Sequence, residues 1–143
     1  VISTRIVAGV PVTTVTPTGG KRVVDAPREL FKSELGYDNG SLFGKLGLDY
    51  VGKRYFTYTN DLSTVGDGRG NVDSYGVLNL GLGYRFEKTG IGKNITIQAN
   101  LTNLTDKSYI STIGSNGFGN AGDNQTFLAG SPRQWFLSVS GQF

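Results

Sequence analysis

The 143-residue chain has no cysteine, no histidine and no methionine. Without cysteine there is neither a disulfide framework nor a thiolate metal site. Without histidine the commonest general base and the commonest zinc ligand are both missing. Without methionine Val1 is not a translation start, so the chain is expected to be part of a longer or processed polypeptide. Long apolar runs are also absent. The longest, Ile6 to Val12, holds seven residues including Pro11, against the ~20 that a membrane helix requires. Thr4, Arg5, Thr13 and Thr14 interrupt any signal-peptide core. Charge is sparse, with a net value of +3 spread along the chain, which gives no nucleic-acid footprint. No nucleophile has a histidine partner and no G-x-S-x-G occurs, so catalysis is not expected. No cofactor motif is present.

Glycine is abundant instead. Its 22 copies make up about 15% of the chain, roughly twice average usage, and many sit inside the most hydrophobic stretches. Glycine disfavours helices, and from Arg28 onward apolar residues recur every second position, the period of a strand with one apolar face. Phe31, Ser33, Leu35 and Tyr37 alternate with Lys32, Glu34 and Gly36. Asp38-Asn39-Gly40 is a hairpin signal. Leu42, Gly44, Leu46, Leu48 and Tyr50 then face one way, and Phe43, Lys45, Gly47, Asp49 and Val51 the other. A third strand sets Leu78, Leu80, Leu82, Tyr84 and Phe86 against Val77, Asn79, Gly81, Gly83 and Arg85. A fourth carries Ile95, Ile97, Ala99 and Leu101, backed by Thr96, Gln98, Asn100 and Thr102. The fifth carries Trp135, Leu137, Val139, Gly141 and Phe143 against Phe136, Ser138, Ser140 and Gln142.

The connections alternate in length. Asp38–Gly40 and Glu87–Asn94 are short, whereas Asn60–Asp73 and Thr112–Ala129 are long and polar. Outer-membrane barrels place short turns on one side and long loops on the other. The two faces agree with that reading. The apolar stripes carry no charge in their central parts, and the opposite faces of the last three strands are mostly Ser, Thr, Asn, Gln and Gly. Aromatics mark the stripe ends: Tyr37, Tyr84, Phe86 and Phe143 near the short turns, and Phe31, Tyr50 and Trp135 towards the long loops. Eight steps from Trp135 to Phe143 span roughly 26 Å, which a barrel tilt reduces to about 20 Å of membrane height. The fold class expected is therefore all-β, an antiparallel transmembrane β-barrel segment.

Several motifs share one order with a known family. Asn100-Leu101-Thr102-Asn103-Leu104-Thr105-Asp106-Lys107-Ser108-Tyr109 resembles the N-x-x-N-L-x-D-x-x-Y segment of TonB-dependent outer-membrane receptors, and Gly130-Ser131-Pro132-Arg133 resembles their G-x-P-R entry to the final strand. Ala26-Pro27-Arg28, Tyr50-Val51-Gly52-Lys53-Arg54-Tyr55 and the terminal strand ending on Phe143 are similar at the corresponding places. The resemblance implies the last five or so strands of a barrel of roughly 22, completed by earlier strands and a plug domain of the same receptor. It further implies contact with TonB through that plug, outer-membrane lipid outside, and import of a scarce nutrient such as a siderophore, haem, cobalamin or oligosaccharide. Trp135, Leu137, Val139, Gly141 and Phe143 would serve the barrel assembly machinery as its signal. Residues 1–27 match no motif and are read as the end of a preceding strand, at most one, plus an external loop, with 28–143 as the barrel strands.

Glu34, Lys45, Asp49, Arg85 and Gln98 have lumen parity and are expected to serve structurally in the lumen wall or in contact with the plug. Asp67, Arg69, Asn71, Asn116, Phe118 and Asn124 lie in the long polar segments and are ligand candidates there. Gly66–Gly70 is not read as a phosphate loop, since a strand rather than a helix follows it. Asp67, Asn71 and Asp73 lack the bidentate glutamate of a calcium loop. Five N-x-S/T triplets, at Asn39, Asn94, Asn100, Asn103 and Asn124, are read as chance products of Asn/Thr-rich faces. Tyr55, Phe56 and Tyr58 suit an aromatic girdle, or stacking on a sugar or chelate. Two other classes compete: a passive porin or small barrel, and a secreted soluble β-sandwich binding module.

Overall fold

The computed structural model describes residues 2–60, 70–88, 93–114 and 126–142. Among these the chain is all β, with antiparallel pairing throughout. Eleven strands occur: β1 (Ile2–Val7), β2 (Val10–Val15), β3 (Leu30–Asp38), β4 (Leu42–Val51), β5 (Arg54–Tyr55), β6 (Asn71–Val72), β7 (Tyr75–Lys88), β8 (Lys93–Thr102), β9 (Ile110–Gly114), β10 (Thr126–Ala129) and β11 (Gln134–Gln142). The five long strands form one sheet in the order β11-β8-β7-β4-β3. These are the five segments that alternation marks out, each neighbour in sequence also a neighbour in space.

Register keeps like with like. Leu35, Leu46, Leu80, Leu101 and Trp135 form one row across all five strands. Tyr37, Gly44, Leu82, Ala99 and Leu137 form the next. On the other face Gly36, Lys45, Gly81, Asn100 and Phe136 share a row, followed by Asp38, Phe43, Gly83, Gln98 and Ser138. A one-residue slip anywhere would move a whole leucine set to the polar side. Gly141 marks a register irregularity between Ser140 and Gln142, and its bare Cα leaves room for Ile95.

The apolar face has no second layer over it among the described residues. Ile97 is 39% exposed and Val139 65%, and Leu35, Leu82, Trp135 and Leu137 are exposed as well. The buried core lies elsewhere. It consists of Phe56, Val72 and Ile113, with Ile110 packed against it, and all four belong to the segments beyond the sheet's long-loop end.

Residues 1–27 differ from expectation. They hold two strands rather than at most one, a hairpin in which Ile2 pairs with Val15 and Val7 with Val10. Its turn is Ala8-Gly9, both at positive φ. Pro11 lies within β2, which is tolerated because both members of a two-stranded sheet are edge strands. The long polar segments also differ from plain loops. Each opens and closes as a paired hairpin, β5 with β6 and β9 with β10.

Candidate functional site

The polar face is the concave one. A groove of about 760 Å³ is lined by Lys32, Glu34, Lys45, Asp49, Asn100 and Phe136 among others. A second of about 390 Å³ continues it towards the short turns, past Asp38, Phe43 and Gln98. The sheet thus curls around its hydrophilic side, as an arc of barrel wall must if its leucine rows face outward.

Four of the five lumen-parity residues carry charge, and the structure closes those charges within the wall. Lys32 Nζ lies 3.1 Å from Asp49 near the long-loop end, Lys45 Nζ 3.3 Å from Glu34 at mid-height, and Arg85 Nη1 2.9 Å from Asp38 at the short-turn end. Asn79 Nδ2 also donates to Asp49 at 3.1 Å, and Gln98 Nε2 donates to Asn100 Oδ1 at 2.9 Å. Arg85 further donates to the Gly40 carbonyl and lies 4.1 Å from the Phe43 ring centroid. The tip of that ring covers Gly83, where a Cβ would overlap it. Glu34, Lys45, Asp49, Arg85 and Gln98 thus each have a polar partner within the sheet.

At the long-loop end the motif residues converge. Asn103, 1% exposed and at positive φ, donates from Nδ2 to the carbonyls of Lys107 (2.9 Å) and Ser131 (3.0 Å). Its Oδ1 accepts the Lys107 N–H at 2.8 Å, and its own N–H donates to Asn79 Oδ1. Asp106 Oδ1 accepts the Arg133 N–H at 3.0 Å. Tyr109 stacks on Tyr75 with centroids 4.3 Å apart, and its ring occupies the space a Cβ on Gly130 would need. Gly52 lies close to the Glu29 backbone, to whose carbonyl it donates at 2.8 Å.

Arg54 ties these parts together. It is 4% exposed. Its Nη1 donates to Asp25 Oδ1 and to the Ser111 carbonyl, both at 2.9 Å, and its Nη2 to the Ile110 carbonyl at 2.6 Å. Its guanidinium carbon lies 5.9 Å from the Tyr75 ring. Asp25 thus fastens the segment before β3, Ile110 and Ser111 the start of β9, and Tyr75 the start of β7. The motif spacing reflects this joint, which holds the long segments to the wall.

The aromatic cluster divides. Tyr55 is flanked by Arg22 and Lys53, 5.6 and 5.7 Å from its centroid. Phe56 is fully buried and meets Phe127 edge-on at 5.1 Å, so neither girdle nor ligand stacking describes it. Asn71 sits in β6 opposite Tyr55 and donates to Asp73 at 3.4 Å. Asp67, Arg69, Asn116, Phe118, Asn124 and Phe143 lie outside the described residues. No cluster of three or more carboxylates suited to a metal ion occurs among the described residues. The Asn103 triplet is closed to glycosylation, since its amide is buried and engaged.

A family profile described as "TonB dependent receptor-like, beta-barrel" matches residues 5–104. That span takes in most of the N-terminal hairpin, which carries no motif of its own. The chain is also 34% identical over 119 residues to the ferric-pyoverdine M114 receptor PbuA of Pseudomonas sp. (strain M114), covering 82% of this chain and 13% of that receptor. No solved structure matches it. With five antiparallel strands in one sheet, an exposed apolar face and these matches, the chain belongs to the TonB-dependent receptor family and forms a segment of that family's transmembrane β-barrel.

Proposed function

We propose that this segment is part of the wall of an outer-membrane transporter that imports a ferric siderophore. The observation that carries the membrane reading is the exposed leucine face opposite a concave face of closed ion pairs. Hydrocarbon satisfies the first and water the second. The iron-chelate reading rests on the likeness to a ferric-pyoverdine receptor. The remainder of the receptor would supply earlier strands and a plug engaging TonB, and β11 would present the signal for barrel assembly. Ligand would meet the outer ends of the long segments before any plug rearrangement.

The substrate is tested with the whole receptor in an outer-membrane host lacking its own siderophore receptors. Under iron limitation, growth on ferric pyoverdine is expected only with the intact receptor and an energised TonB. Growth on haem or cobalamin instead would replace the chelate as substrate, and uptake independent of TonB would favour a passive porin.

The two faces are tested by a pair of adjacent substitutions in mid-β8. Ile97→Lys puts a charge on the lipid side near the bilayer midplane and is expected to cost about 2–4 kcal/mol. Gln98→Lys points into the wet interior and is expected to cost far less. Urea titration of the receptor folded in bilayers measures both, and equal losses would refute the assignment of faces.

A further inference from the structure

The hairpins β5–β6 and β9–β10 belong to separate sheets and share no backbone ladder. Side chains join them. Phe56, at the end of β5, is buried with Val72 of β6 and Ile113 of β9, and Ile110 packs against the same cluster. Phe127 of β10 closes edge-on against Phe56. Arg54 of β5 holds the first two carbonyls of β9. The Phe56 N–H donates to the Gly70 carbonyl at 3.1 Å, which fixes this ring to its own hairpin as well. One aromatic ring and one guanidinium of the first arm therefore reach partners in the second more than 50 residues further along the sequence.

We propose that the two hairpins form one two-armed body, coupled through Phe56 and Arg54, so that displacement of either arm is imposed on the other. A packed interface of this kind has discrete arrangements rather than a continuous range. Coupling between two sites is also reciprocal by thermodynamic necessity. Phe56 and Arg54 then act as positioning residues, with no contact to ligand of their own required.

Hydrogen exchange read by mass spectrometry on the whole receptor in detergent micelles tests this. Phe56→Ala is expected to speed exchange about tenfold in both hairpins, the factor corresponding to ~1.4 kcal/mol of local opening. Phe127→Ala, a milder truncation at a residue 37% exposed, is expected to do the same from the other arm. Phe56→Leu keeps most of the buried volume and is expected to restore near-native rates. Strands β7 and β8 should exchange as in the unaltered receptor throughout. Faster exchange confined to the arm that carries the substitution would overturn the proposal, as would fast exchange spread evenly over the wall.

Discussion

Asp25→Ala is expected to destabilise the receptor's long-loop end by about 3–5 kcal/mol, the usual cost of stranding a buried charge. Arg54 is 4% exposed and has one carboxylate partner among the described residues, whereas the Asp25 side chain is 32% exposed. The two ends of this ion pair are therefore unequal. Removing the acid leaves a guanidinium shut away from water, with carbonyl oxygens as its remaining hydrogen-bond acceptors. Removing the base, as in Arg54→Met, leaves a carboxylate that turns towards solvent, and methionine refills much of the apolar volume. The single acid substitution should thus be the worse of the two, and the double variant should recover part of the loss. The measurement is the temperature at which the folded receptor converts to its unfolded electrophoretic form. A larger loss for Arg54→Met than for Asp25→Ala would contradict the burial described.

Asn103→Ala is expected to be nearly as damaging. It removes a buried amide that donates twice and accepts once, and so unpairs the carbonyls of Lys107 and Ser131 and the N–H of Lys107. Each orphaned group costs roughly 1–3 kcal/mol where water cannot reach it. Alanine is also less at ease than asparagine at the positive φ found here. Asn103→Gly relieves the backbone but not the lost bonds, so it should fall only slightly short of alanine. Asn103→Asp keeps the acceptor and sets a negative oxygen against two carbonyls, and is expected to weaken further as pH rises past the carboxyl's titration. Unfolding of the series at two pH values separates these contributions. A neutral Asn103→Ala would mean that Ser131 and Lys107 find other partners.

The legibility of this chain tracks the range of the interaction concerned. Leu46, Leu80, Leu101 and Trp135 could be assigned to one face from alternation alone, because period two is local and charge on the lipid side is costly. The partnering of Glu34 with Lys45 and of Arg85 with Asp38 was not legible. Each is set by inter-strand register, and Arg85 reaches across β4 to the turn beyond it. The hairpin stems escaped notice for a different reason. β5 and β6 contribute two residues each, too few to display a period, and they border a polar run. Pro11 and the absence of an Asn-Gly turn hid β2 in the same way. Arg54 was visible only as a motif position, since its burial depends on Asp25, Tyr75 and Ile110 arriving from three other segments. The motifs around Asn103 and Gly130 were visible as patterns, but their purpose as a joint needed Ser131 and Tyr109 in place.

The lateral closure of Lys32, Lys45 and Arg85 onto Asp49, Glu34 and Asp38 has an electrical consequence. Fixed charges that cancel within one strand spacing produce a field that dies away over a similar distance. These three pairs add almost nothing to the long-range potential. Such pairs give a passing ion no reason to be sorted by sign, so any ionic preference at this wall comes from charges outside them.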